Sequence, residues 1–191
     1  RGIRVLATLI TLLLPGVYLA ITSFHQELLP TELLFSILSA RENVPFPIIF
    51  ELLLMEISFE LIREASLRVP SPIGSSIGIV GALVLGDAAV NAGIVSPILI
   101  IVVAMTGIAS FAIPDFSFGF HIRVFRFWFV ALGVTTGFLG IGVGLFIYVS
   151  MLCNLKSFGV FYTTPLAPQY NTYGNGFFIP PIWRQEYRTN F

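Results

Sequence analysis

Charged residues fall at wide intervals along this chain, and the intervals between them are apolar. Val5 to Phe24 is twenty residues without a charge, preceded by Arg1 and Arg4, which is the length needed to cross a bilayer as a helix. Leu28 to Ala40 is shorter and holds Glu32, so it reads as an interfacial or re-entrant helix. Val44 to Ile62 is long enough but carries Glu51, Glu56 and Glu60. Ile73 to Val90 is rich in small residues, with Asp87 near its end. Ile94 to Ile113 has no charge, and Phe127 to Asn154 is a 28-residue uncharged run, enough for a tilted span. The pattern predicts five spans plus the short helix.

Turn chemistry marks the joints. Pro30, Pro45, Pro47, Pro70, Pro72 and Pro97 fall near segment starts, where a missing N–H costs little. Pro15-Gly16 predicts a kink within the first span. From Lys156 onward, prolines, Asn, Gly and aromatics replace the apolar runs, and this predicts an irregular tail outside the membrane. The expected organisation is all-α and polytopic: a helical transmembrane domain over 1–155 with five to six spans, and an extramembrane tail over 156–191. Five crossings would put Arg1, Arg4, Arg63, Arg68, Arg123 and Arg126 on one side but Lys156, Arg184 and Arg188 on the other, which the positive-inside rule disfavours. A sixth crossing would change that parity.

Composition agrees. The 191 residues are 56% hydrophobic and 10% charged, with a mean hydropathy of +0.92, against about 25% charged in an average soluble domain. Ten basic and ten acidic residues cancel, which removes a general attraction to nucleic acid. The single cysteine, Cys153, excludes an intramolecular disulfide, and His25 and His121 stand too far apart, with too few nearby ligands, to suggest a metal. No serine sits in a nucleophile elbow, and Gly140 to Gly144 lies in an apolar run without the spacing of a nucleotide loop. Neither an enzyme nor a cofactor is expected. Phe125, Phe127, Trp128 and Phe129 read as an interfacial aromatic belt.

Two patterns carry candidate chemistry. Glu51, Glu56, Glu60 and Glu64 are four of the ten acids within fourteen positions, and the last three share a helix face. Arg63 and Arg68 lie at pairing distance from Glu60 and Glu64. Ionisable groups facing hydrocarbon cost several kcal/mol (roughly 2.5–3.5 on insertion scales), so these acids should face protein or a water-filled path. They are either a cation-path lining or ion pairs that fix packing. The second pattern is small residues four apart: Gly74 and Gly78 with Gly81 adjacent, then Gly133, Gly137, Gly140 and Gly144, a spacing that lets helices approach closely. Ser75, Ser76 and Asn91 would give the Ile73–Val90 helix a polar edge, making it an alternative pore helix.

Several short strings occur in order: Leu14-Pro-Gly-Val-Tyr18, Thr22-Ser-Phe-His25, Leu29-Pro-Thr-Glu-Leu33, Arg41-Glu-Asn-Val-Pro-Phe-Pro47, Phe59-Glu-Leu-Ile-Arg-Glu-Ala65 and Arg68-Val-Pro70. Ile73-Gly-Ser-Ser-Ile-Gly-Ile-Val-Gly81, Gly93-Ile-Val-Ser-Pro97, Ile113-Pro114 and Lys156-Ser-Phe-Gly-Val160 follow. Together they resemble the membrane region of the A subunits of spore germination receptors, the GerA family, which includes stage V sporulation protein AF. The resemblance implies residence in the inner membrane of bacterial endospores and work beside a transporter-like B subunit and a lipoprotein C subunit. It also implies a homo-oligomeric ring whose central path releases cations when nutrient is sensed. The family's N-terminal soluble domain does not precede Arg1, as in a cut or partial chain. Alternatives are a non-conducting scaffold coupling its partners to another channel, or a secondary transporter, against which the lack of an inverted repeat counts.

Overall fold

The computed structural model describes residues 2–68, 73–113, 115–157 and 160–161. They form seven α-helices: α1 (Gly2–Ser23), α2 (Thr31–Arg41), α3 (Ile48–Arg68), α4 (Ile73–Asn91), α5 (Pro97–Phe111), α6 (Phe116–Thr136) and α7 (Phe138–Asn154). A 3₁₀ turn at Gln26–Leu28 follows α1, and a minimal antiparallel pair, Lys156–Ser157 with Val160–Phe161, follows α7. The start of the expected irregular tail is thus a two-residue ladder; residues 162–191 lie outside the described residues.

The helix ends follow local chemistry. Asp115 caps α6 by accepting the Phe118 N–H at 2.9 Å. At the end of α4, Gly93 has φ 65°, its N–H donates to Val90 O, and Ile94 N–H donates to Ala89 O. That is the paired closure of a Schellman turn, which needs a left-handed residue. Pro97 then opens α5 at a position whose N–H has no helical partner anyway.

The longest uncharged run is not one span. Gly137 has φ 64° and ψ −140° and separates α6 from α7, which fold back on each other so that Tyr148 meets Phe125 and Phe129. Apolar periodicity is unbroken across this point, so only a backbone conformation that glycine alone tolerates reveals the turn. Gly137 is therefore a hinge between helices and not the helix-packing glycine its spacing suggests.

Contacts fix the helix directions. Along α1 from Gly16 to His25, the facing residues advance from Phe129 and Gly133 to Gly137 and Phe138, so α1 and α6 run parallel. Glu56 meets Arg126 and Glu60 meets Arg123, so α3 runs against α6. Gly78 faces Ser66, Gly81 faces Ile62 and Gly86 faces Ile100, which sets α4 antiparallel to both α3 and α5. Gly144 faces Leu132, Phe129 and Trp128, setting α7 against α6. Omitting α2, six helices alternate in direction. One end of the bundle, called proximal here, holds the start of α1 and the end of α7; the other is distal. Because α1 ends and α3 begins at the distal end, α2 connects two points on the same side.

The core has two parts. Leu19, Leu52, Met55, Leu99 and Val103 join α1, α3 and α5. Leu12, Ile122, Phe129, Ile141 and Tyr148 join α1, α6 and α7. Phe129 is fully buried there and only Trp128 of that quartet is exposed, so the expected aromatic belt is partly core. Phe129 shares a helix face with Ile122, Arg126 and Gly133, and that face meets α1.

Candidate functional site

Three of the four α3 acids, Glu51, Glu56 and Glu60, are met by arginines from other helices, and two of them, Glu51 and Glu56, are buried inside the bundle. Glu56 and Arg126 are 1% and 3% exposed, and Arg126 Nη2 lies 2.7 Å from Glu56 Oε2. Arg123 Nε lies 2.7 Å from Glu60 Oε1, and Arg126 Nη2 is 3.7 Å from Glu60 Oε2. One turn of α3 is thereby matched to one turn of α6 running the other way. Sequence reasoning missed these partners because Arg123 and Arg126 stand ahead of the run from Phe127 and were counted only as charges on one side of the membrane. The signal available was their spacing of three, which places both on one face of a helix.

Arg63 was expected to pair along its own helix. Its Nη2 donates to Gly107 O at 3.3 Å and to Ser110 Oγ, and its guanidinium lies 4.9 Å from the Phe111 ring centroid. It serves as a cation at the C-terminal end of α5, where the helix dipole is negative. Glu64 is exposed, and the side chain of Arg68 lies outside the described residues.

At the distal end Glu51, 1% exposed, is a hub. Its Oε1 meets Arg41 Nη2 at 3.3 Å, and its Oε2 accepts the Ser96 N–H at 3.1 Å. Ser96 is the N-cap of α5 but its hydroxyl makes no capping bond, so a carboxylate from α3 satisfies that helix start instead. Tyr18 lies among Ser96, Arg41 and Glu51. The hydroxyls of Tyr18 and Ser96 are buried without a hydrogen-bond partner among the described residues.

The small residues divide between roles. Gly133 packs on Gly16, where a Cβ on Gly133 would lie 2.5 Å from Gly16 O and one on Gly16 would lie 2.7 Å from Phe129 O. Gly16, expected only to mark a kink, is thus half of the α1–α6 crossing. Gly78 and Gly81 face α3, and Gly140 and Gly144 face α6. Asn91 is exposed at the end of α4, while Gly74 lies in its first turn and the surroundings of Gly74 and the side chains of Ser75 and Ser76 are outside what the structure describes. Among the described residues no group of three metal-ligating side chains occurs.

The outer surface reverses the usual polarity. Leu83, Ile108, Phe111, Leu139 and Phe146 are each more than two-thirds exposed, while carboxylates and a guanidinium are buried. Helix hydroxyls turn back onto their own helices: Thr8, Thr11, Thr22, Ser36, Thr106, Thr135 and Thr136 each donate to the carbonyl four residues earlier at 2.8–3.0 Å. Such back-bonding satisfies a hydroxyl without water. Gly2–Ser23 and Ser117–Thr136 are long and apolar enough to cross a membrane; α5 and α7 are apolar but shorter.

An all-helical bundle with charges paired inside and an apolar exterior defines the class. The family model for the Bacillus/Clostridium GerA spore germination protein matches residues 1–191, and the chain belongs to that family. It is 48% identical over 190 residues to spore germination protein KA of Bacillus subtilis (strain 168), covering 98% of this chain and 35% of that protein. It is 49% identical over 168 residues to the uncharacterized membrane protein YfkQ of the same organism, covering 88% and 33%. Spore germination protein GerLA of Bacillus cereus is 47% identical over 170 residues, covering 89% and 35%. The chain therefore spans about a third of the length of these relatives. No solved structure matches it.

Proposed function

We propose that this chain is the membrane-embedded part of a germination receptor A subunit, that it assembles as a homo-oligomeric ring in the inner membrane of the endospore, and that the ring conducts cations in response to nutrient. The inverted polarity carries the membrane part of this reading: ion pairs buried, Leu, Ile and Phe outward. An exterior of that kind is a liability in water and ordinary in lipid. Membership in the GerA family supports the role in germination and the association with transporter-like B and lipoprotein C subunits.

Six alternating helices support six crossings with both ends of the described chain on one side. The proximal end then carries Arg4, Arg63, Arg123 and Lys156, Arg126 lies at the middle of α6, and Arg41 alone among the described basic residues lies at the distal end. By the positive-inside rule the proximal end is cytoplasmic. The parity conflict that five crossings create disappears, and the sixth helix comes from the split at Gly137 and not from α2. At 15 residues α5 covers about 22 Å, less than a bilayer core of about 30 Å, so its ends are met by locally thinned lipid.

Where the ion path runs follows from charge. Glu51, Glu56 and Glu60 each have an arginine within 4 Å in their own chain, which cancels their pull on a passing cation. They are better suited to packing than to lining. The α4 edge with exposed Val80, Val84, Asp87 and Asn91 is the remaining candidate for a ring interior. Single-channel recording in planar bilayers tests this. Asp87→Asn should change cation selectivity, and Val84→Cys should confer block by a thiol reagent, whereas Glu60→Gln, which weakens a pair within one chain, should act on the stability of the subunit. No current from a verified oligomer containing all three receptor subunits would favour the scaffold reading.

A further inference from the structure

The distal hub brings four elements to one point and leaves some of their polar atoms unmet. Tyr18 comes from α1, Arg41 from the end of α2, Glu51 from α3 and Ser96 from the N-cap of α5. Ser96 is fully buried and Tyr18 is more than nine-tenths buried. The Tyr18 hydroxyl, Ser96 Oγ and Arg41 Nε have no hydrogen-bond partner among the described residues. Buried hydroxyls are nearly always paired, because an unmet one has lost its hydration for nothing.

We propose that the hub holds a bound water, hydrogen-bonded to the Tyr18 hydroxyl, Ser96 Oγ and the Glu51–Arg41 pair, and reached from the distal side only. The chemistry of the lining selects the ligand. A cation would lie beside the Arg41 guanidinium, which is 3.3 Å from the Glu51 carboxylate, and an anion would lie beside that carboxylate, so a neutral ligand is favoured over either. The unmet atoms are two hydroxyls, which donate and accept, and Arg41 Nε, which only donates. The ligand must therefore accept as well as donate. Water does both, and makes about three such bonds when buried. The two hydroxyls do not satisfy the site between themselves: a bond from one to the other uses a single O–H and leaves the second O–H and Arg41 Nε unmet.

Apolar side chains seal the site from within. From the distal end inward, the buried face of α5 and its N-cap reads Ser96, Leu99, Val103, Thr106 and Ser110, and the buried positions of α3 read Glu51, Leu52, Met55 and Glu56. On both helices a polar position is followed by an apolar layer and then by a second polar level. Leu52, Met55, Leu99 and Val103 are each at most 1% exposed and belong to one cluster, so they separate the hub from the Glu56–Arg126 pair. The other way out runs along Arg41, whose side chain is 26% exposed. The water thus exchanges with the distal solution and not through the bundle, and it ties α1 to the helix starts that Glu51 already holds together. The site stands whether or not a ring of these chains conducts.

Radiolytic footprinting of the full chain in nanodiscs tests the proposal. X-ray pulses convert water to hydroxyl radicals where it stands, so a buried side chain gains oxygen only beside a bound water, and mass spectrometry locates the gain. The expected result is hydroxylation of Tyr18 despite its burial, and none at Met55 or Phe129, both fully buried in apolar surroundings. After rapid mixing into ¹⁸O-water, the oxygen added at Tyr18 should turn to ¹⁸O more slowly than that added at Phe46, in the exposed loop before α3. Ser96→Ala, which keeps the N–H to Glu51 but removes Oγ, should lower labelling of Tyr18 severalfold. An unlabelled Tyr18 in the wild-type chain would overturn the proposal in favour of a direct Tyr18–Ser96 contact. Labelling that Ser96→Ala leaves unchanged would place the water away from the hub. Labelling of Met55 equal to that of Tyr18 would show that the apolar layer does not seal the site. A thermal midpoint raised by sodium or potassium over N-methylglucamine at equal ionic strength, with the increase lost in Tyr18→Phe, would put a cation there instead.

Discussion

Gly133 meets Gly16 backbone to backbone, with no side chain between them, where α6 crosses α1. A methyl on Gly133 would sit 2.5 Å from Gly16 O, and neither wall of that contact is a side chain that can turn away. Overpacking of this kind costs roughly 1–3 kcal/mol and is met by moving the helices apart. Gly133→Ala should therefore lower the thermal midpoint in detergent or nanodiscs by an amount matching a loss in that range. Gly142→Ala, where a Cβ would meet nothing within 4 Å, should leave it unchanged. Equal effects at the two positions would mean that the α1–α6 crossing is not the constraint.

Moving α6 also moves Arg126, which enters the bundle two turns earlier. The Glu56–Arg126 pair is more than nine-tenths buried on both sides, so removing one partner strands the other charge, at a cost of about 3–5 kcal/mol. Arg126→Met and Glu56→Leu should each destabilise strongly, while the double variant should recover most of the loss, because two apolar groups replace two charges. A double-mutant cycle in denaturant checks this. Additive losses would show that the two side chains do not act as a pair.

Much of this arrangement was legible in the sequence, and what was not has definite physical causes. Periodicity and charge spacing identify α1, α3, α4 and α5 because their ends coincide with Pro, Gly or Arg. The four acids on α3 announce buried electrostatics. The identity of the partners was not legible, since Arg123 and Arg126 lie 63 and 70 residues from Glu60 and Glu56, and only the antiparallel register of α3 and α6 brings them together. The turn at Gly137 was hidden because a glycine at φ 64° looks in sequence like a glycine that packs two helices. The Gly16–Gly133 contact was half visible, one glycine in a repeat and the other assigned to a proline kink.

The hinge itself yields a prediction that separates it from the packing glycines. With ψ −140° at φ 64°, Gly137 occupies a region open essentially to glycine alone, not the left-handed helical region that Asn also visits. A Cβ there would also approach His25 Cε1 to 3.0 Å. Gly137→Ala and Gly137→Asn should thus be destabilising to a similar degree, about 1–3 kcal/mol. Asn restoring wild-type stability would show that the turn is an ordinary left-handed one.

The distal hub gives a prediction in which one substitution, Glu51→Gln, changes sign with the residue at position 41. Arg41→Ala leaves the Glu51 carboxylate buried with its charge unmatched, although Ser96 N–H still donates to it. Glu51→Gln removes that charge yet keeps a carbonyl oxygen in place for the Ser96 N–H, and Arg41, whose side chain is 26% exposed, can turn toward water. An unmatched buried charge is more costly than a neutral hydrogen bond in place of a charged one, which differ by about 1 kcal/mol. Glu51→Gln should therefore be mildly destabilising alone and should stabilise the Arg41→Ala background, as read from the midpoint of thermal unfolding. Glu51→Ala should rescue nothing, because it leaves the first N–H of α5 without an acceptor. If Gln and Ala at position 51 behave alike in the Arg41→Ala background, the hydrogen bond to Ser96 does not hold α5 to α3, and the hub reduces to a surface ion pair.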